Sequence, residues 1–189
     1  PAVLDKIVIP LAIGKTVDQA ESLYRHVLGA GYYHHKRAAV MALCAVEMAM
    51  WDALGKYAGL PLHRLWGGAY RSPIDLAAYI FINDPAKVGD VTREFASRGY
   101  RSFKLKIGAD LKSDITLTRA VRDAIGHDTS LRVDVNGAWT PGTARRQLEK
   151  LKEFDLSYVE QPLEHDDLAG HAELRRVQPV PIALDESAY

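Results

Sequence analysis

The sequence has 189 residues, 48% of them hydrophobic, with 24 basic side chains balancing 24 acidic ones and a single cysteine. That length can bury a sizeable core in one or two domains, and zero formal charge leaves no electrostatic footprint for nucleic acid or an anionic membrane surface. The longest uncharged apolar run, residues 38–46, falls well short of the ~20 residues of a spanning helix. No charged segment followed by an apolar core opens the sequence, and one cysteine makes no internal disulfide, so a soluble, cytoplasmic chain without nucleic-acid or membrane partners is expected.

Residues 1–70 read as mostly helical. Val17 to Leu28 has helical spacing, with Thr16 as N-cap and Gly29 as a stop. Lys36 to Ala58 predicts a longer helix closed by Gly59 and Pro61. Its apolar stripe is Val40, Leu43, Val46, Met50, Trp51 and Leu54, interrupted by Glu47 and Asp52. Cys44 lies in this stretch and reads as a small core residue rather than a nucleophile. His34 and His35 precede the helix; adjacent residues do not share a helix face, which argues against a metal-binding pair. Trp66-Gly67-Gly68, followed by Pro73, reads as a link between two parts.

Residues 71–189 alternate strands with helices. The expected strands are 75–81, 102–108, 131–137, 158–162 and 182–185. Between them, Asp84-Pro85 and Thr140-Pro141 each place a capping side chain before a proline at the first helical position. Gly99 and Gly126 stop the first two helices, and Ala144, Leu148 and Leu151 recur at i, i+4 and i+7 in the third. Strand starts recur every 24 to 29 residues, the signature of repeated βα units and a parallel sheet. Two α/β architectures fit: an open doubly wound sheet of five strands, or the first five strands of a (β/α)8 barrel, whose units average about 31 residues.

Polar residues fall on one face of these strands. In Phe103-Lys104-Leu105-Lys106-Ile107 the lysines face one way and the apolar residues the other. Asp134, Glu160 and Asp185 stand at the ends of the third, fourth and fifth strands, one βα unit apart. In a barrel their strands are neighbours and their C-terminal ends converge. Three converging carboxylates repel unless a cation neutralises them, and an all-oxygen donor set favours Mg2+ or Mn2+ over zinc. Two lysines on one face disfavour each other's charge, which would lower at least one pKa and make a general base. The plainer alternatives are that the acids are solvated loop starts or helix caps, and that the lysines form structural ion pairs with Asp134 and Glu160.

Lys104-Leu105-Lys106, Asp134-Val135-Asn136, Val159-Glu160-Gln161-Pro162 and Asp185-Glu186-Ser187 resemble the successive strand motifs of the enolase superfamily. The likeness is nearest to its muconate-lactonizing and mandelate-racemase-like branches. The stretch from Ala45 to Asp52, Leu65-Trp66-Gly67-Gly68 and the loop Pro10 to Lys15 are similar to parts of that family's capping domain. The resemblance implies the helical end of an α+β capping domain over residues 1–70 and the first five βα units of a TIM-type barrel over 71–189. It implies Mg2+ held by Asp134, Glu160 and Asp185, Lys106 as base with Lys104 as its electrostatic neighbour, and Asn136 and Glu186 in support. The chemistry it implies, removal of a proton α to a carboxylate to give an ene-diolate, belongs to the superfamily and does not follow from spacing. An aspartate as third ligand is more like the muconate-lactonizing branch, with its cycloisomerases, epimerases, racemases and synthases acting on small carboxylates. A homo-oligomer is expected of the complete enzyme.

That branch carries its second acid/base on a sixth strand, which these residues do not contain, so they read as the central portion of a longer isomerase. The other readings are a non-catalytic fragment that needs the missing strands and an open-sheet metal- or phosphate-binding signalling module. No glycine-rich phosphate loop follows any of the strands, which counts against the last.

Overall fold

The computed structural model describes residues 1–29 and 36–188; His34 and His35 lie outside them. The chain divides into two compact units, Pro1–Pro73 and Ile74–Tyr189.

In the first unit a π-helical turn over Leu4–Val8 runs into α1 (Ile9–Ala12). The segment from Pro10 was expected as a loop, yet it is helical through Ala12 and turns at Gly14, where φ is +86°. Proline is tolerated there because a first-turn residue needs no intrahelical N–H bond. Thr16 caps as expected: it forms a capping box with Gln19, whose side chain accepts the Thr16 N–H at 3.1 Å. A 3-10 turn over Val17–Gln19 leads into α2 (Ala20–Gly29). Next come α3 (Lys36–Ala58), after which Gly59 reverses the chain at φ +66°, and the short α4 (Leu62–Leu65).

The core of this unit joins Val8, Leu23, Val27, Ala39 and Leu43, with Val46 and Met50 half-buried beside them. That line departs from the expected stripe and overturns the reading of Cys44, which is exposed. Ala39, Leu43, Val46 and Met50 recur every three or four residues and set the inward face. Cys44 stands one residue past Leu43, about 100° round the helix. The nine-residue run also understates α3, whose 23 residues have the length and hydropathy of a membrane span; Ala39 and Leu43 face α2.

The second unit is a five-stranded, all-parallel sheet: β1 (Ala78–Ile80), β2 (Ser102–Lys106), β3 (Ser130–Asp134), β4 (Val159–Glu160) and β5 (Ile182–Ala183). Successive strands are neighbours in the order β1-β2-β3-β4-β5. A doubly wound sheet reverses its order at a switch point. No reversal occurs here, so the sheet is a partial (β/α) barrel and the open-sheet signalling module falls away.

The crossovers are α5 (Pro85–Ser97), α6 (Leu111–Ile125), α7 (Pro141–Leu151) and α8 (Leu168–Val177). Each starts on a cap: Asp84, Asp110, Thr140 and Asp167 accept backbone N–H groups of the first turn. One face of the sheet supplies Phe103, Leu105, Leu131, Val133 and Val159, all fully buried, to a core shared with Val121, Leu148 and Leu174 of the helices. Burying each such side chain contributes about 1.5–3 kcal/mol before entropy is set against it. The opposite face carries the lysines and acids at the strand ends.

Candidate active site

Strand register assembles the site. Parallel pairing sets Lys106 opposite Asp134, and Asp134 opposite Glu160. Three side chains from three strands thus form one row at the C-terminal ends, and Lys104 joins them from two residues earlier on the same face. Asp134 and Glu160 are buried, at 1% and 8% exposure. The Lys106 ammonium donates to Asp134 Oδ2 at 2.7 Å. Lys104 Nζ lies 2.9 Å from the same oxygen and 2.6 Å from Glu160 Oε1, so one ammonium bridges both carboxylates. The other oxygen of Asp134 accepts the backbone N–H of Asn136 at 3.0 Å.

This arrangement decides the electrostatics. Burial opposes the charge on Asp134, but hydrogen bonds from Lys106, Lys104 and the Asn136 N–H outweigh it and hold the carboxyl below its ordinary range. Burial likewise works against charge on Lys104, and Glu160 and Asp134 more than reverse it, so this lysine becomes harder to deprotonate. The expectation was that like charge would lower at least one of the two lysine pKa values; Lys104 shifts the other way. The two ammonium groups share Asp134 Oδ2, and attraction to carboxylates at under 3 Å outweighs the opposing effect of burial on Lys104.

Asp185 does not join the row. β5 ends at Ala183, the residue opposite Glu160, and Asp185 lies two residues further on in an exposed bend. Among the described residues the set of ligand atoms lying within 4.8 Å of one another belongs to Glu164, His165 and Asp166, consecutive in the β4–α8 loop, and not to Asp134, Glu160 and Asp185. Asn136 and Glu186 do meet: the Asn136 amide donates to Glu186 Oε1 at 2.6 Å, from a left-handed backbone at φ +48°. The second Glu186 oxygen is buried with no hydrogen-bond partner.

Other residues that position the site carried no role in the sequence reading. Gln161 and Ser187 tie the end of β4 to the Asp185 turn. His171, one turn before Leu174 on α8, is buried behind them; a histidine in register with a core leucine was the available signal. Asp114, at 1% exposure on the first turn of α6, accepts the N–H of Gly108 at 2.8 Å and so anchors the exit of the lysine strand. Gly108 has φ +103°, and a Cβ there would lie 2.8 Å from the Val135 carbonyl oxygen on the exit of β3. Gly108→Ala is therefore expected to destabilise the full-length protein by about 2–4 kcal/mol, through left-handed strain plus backbone collision. Urea denaturation measures it, and a loss under 0.5 kcal/mol would show that the two strand exits do not press together.

Residues 87–189 match the family described as enolase C-terminal domain-like, and residues 2–67 match the mandelate racemase/muconate lactonizing enzyme N-terminal domain. The chain belongs to the enolase superfamily, within its mandelate racemase/muconate lactonizing group. It is 31% identical over 194 residues to an L-Ala-D/L-Glu epimerase of Bacillus subtilis, covering 93% of this chain and 53% of that protein. It is 32% identical over 146 residues to an N-succinyl-L-Arg/Lys racemase of Bacillus cereus, covering 77% of this chain and 40% of the relative. A racemase from Streptomyces coelicolor solved with bound magnesium superposes with a TM-score of 0.87 at 32% identity, over 98% of this chain and 53% of its own. Curated relatives also include a dehydratase and a cycloisomerase. The chain spans about half the length of the curated relatives it matches.

The two buried acids of the row, Asp134 and Glu160, offer only carboxylate oxygens, the type a hard divalent cation such as Mg2+ takes. Lys104 already shows that one cationic centre reaches both Asp134 and Glu160.

Proposed function

We propose that these residues hold the base and the metal ligands of an isomerase that removes a proton α to the carboxylate of a small substrate, as racemases, epimerases and cycloisomerases of the muconate-lactonizing branch do. The row of Lys106, Asp134 and Glu160, with Lys104 bridging the two acids, carries the reading. The helical unit, Pro1–Pro73, is read as the end of the capping domain. Mg2+ held by Asp134, Glu160 and Asp185 would supply the positive charge that a substrate carboxylate needs as negative charge grows on it.

The chain's own residues do the rest. With Asp134 and Glu160 engaged as ligands, Lys104 and Lys106 lose the acceptors that now hold them. Lys106, as the neutral amine once its ammonium proton has passed to solvent, would take the α-proton on Nζ, and the Lys104 ammonium would stay beside it as fixed positive charge. Asn136, braced by Glu186, holds the Asp134 carboxylate from its backbone N–H. Buried partners keep these groups in place before substrate arrives, which is what preorganised stabilisation requires.

The test is deuterium exchange in D2O, followed by proton NMR, on the full-length protein with N-acylated amino acids, dipeptides and muconolactone. Exchange at the α-carbon that EDTA stops and Mg2+ restores is expected with at least one class. No metal-dependent exchange with any of the three would overturn the proposal.

A further inference from the structure

The third carboxylate stands on a stretch of chain that the sheet does not hold. β5 pairs with β4 only through Ile182 and Ala183, and the last ladder bond runs from the Gln161 N–H to the Ala183 carbonyl at 2.9 Å. Beyond it, a side chain takes over from the backbone. Gln161 Oε1 accepts the N–H of Asp185 at 3.0 Å and that of Ser187 at 3.2 Å. Its Nε2 donates to the Leu163 carbonyl at 3.0 Å and to Ser187 Oγ at 2.7 Å, and Ser187 Oγ donates onward to the His165 carbonyl at 2.7 Å. All four hydrogen-bonding positions of the amide are used.

That pattern has one orientation. A flipped amide would turn its NH2 toward two N–H donors and its oxygen toward the Leu163 carbonyl. Gln161 is fully buried, so neither mismatch could be relieved by water. Its backbone is left-handed at φ +41°, a conformation that the surrounding bonds must sustain. The far end is anchored as well: His171 Nε2 accepts the Leu163 N–H at 3.3 Å. An apolar side chain would fill the same space but would leave the N–H groups of Asp185 and Ser187 without their acceptor.

We propose that Gln161 is a positioning residue of the metal site, its amide fixing the backbone from which Asp185 extends and thereby the affinity of the three carboxylates for Mg2+. This rests on the reading of Asp185 as a ligand. Gln161 acts through Asp185 and touches no reacting atom.

The test is a double-mutant cycle read by calorimetric titration of Mg2+ into the full-length protein. Gln161→Met keeps the side chain's length and removes its hydrogen bonds; Asp185→Asn weakens the ligand. Circular dichroism confirms equal folded fractions. Gln161→Met is expected to weaken Mg2+ binding ten- to a hundredfold, the usual cost of removing a group that orients a ligand. The double variant is expected to bind no more weakly than Asp185→Asn alone, because Gln161 has nothing left to act through. Multiplying losses in the double variant would mean a general structural role and overturn the proposal. So would Gln161→Met binding within twofold of the wild type while Asp185→Asn binds weakly. Undiminished binding by Asp185→Asn would instead refute the ligand reading, and this inference with it. If Gln161→Met does not fold, Ser187→Ala enters the same cycle, with a smaller loss that again vanishes in the Asp185→Asn background.

Discussion

Asp134→Asn is expected to abolish the thermal stabilisation that Mg2+ gives the full-length protein, and to lower its stability without metal by about 3 kcal/mol. The second effect follows from Asp134 Oδ2, the acceptor shared by Lys104 and Lys106. Breaking a buried ion pair from one side costs roughly 3–5 kcal/mol, and the partial exposure of both lysines places this case at the lower end. Glu160→Gln and Asp185→Asn should also remove most of the metal response. A response unchanged in all three variants would eliminate the proposed ligand set.

The pH dependence has a definite sign. The Asp134 pKa is lowered in the folded protein, so the native state binds this proton less tightly than the unfolded state. Its contribution is fully present above the unfolded value of about 3.9 and is lost as pH falls through the lower folded value. The stability gap between wild type and Asp134→Asn should thus be widest above about pH 5 and close in stronger acid. A gap that widens on acidification would mean that the lysines do not hold Asp134 ionised.

Lys106→Ala is the second large effect. It is expected to lower α-proton exchange in the full-length enzyme by at least about a thousandfold, the order that positioned general bases contribute, while Mg2+ still binds. Lys104→Ala should also slow exchange, through loss of the cation that bridges Asp134 and Glu160, but should leave a base in place. Exchange retained by Lys106→Ala would remove that residue from the role of base, and lost metal binding would mean it is needed to shape the carboxylate site.

Local chemistry made much of the architecture legible. The start of α5 at Asp84-Pro85, the start of α7 at Thr140-Pro141 and the turn at Gly59 each depend on residues within one helical turn, and each stands where the sequence places it. Alternation in β2 put Lys104 and Lys106 on the face opposite Phe103 and Leu105. The expected strands ran long because alternation continues into loops after the ladder has ended: 182–185 shortens to Ile182–Ala183. Cys44 was misplaced because an apolar run does not say which arc of a helix meets a neighbour.

By itself, then, the sequence determined the starts of α5 and α7, the turn after α3, the βα repeat, the polar face of β2 and the ladder of acids, since these follow from capping, side-chain period and chain distance. Only the tertiary structure decided that the strands follow one another without reversal. It also decided that Lys106, Asp134 and Glu160 fall in one row, that Lys104 bridges the acids, and that Asp185 hangs from the Gln161 amide. Register and side-chain bonding join residues from 24 to 56 positions apart, and such pairings depend on the whole sheet rather than on any window of sequence.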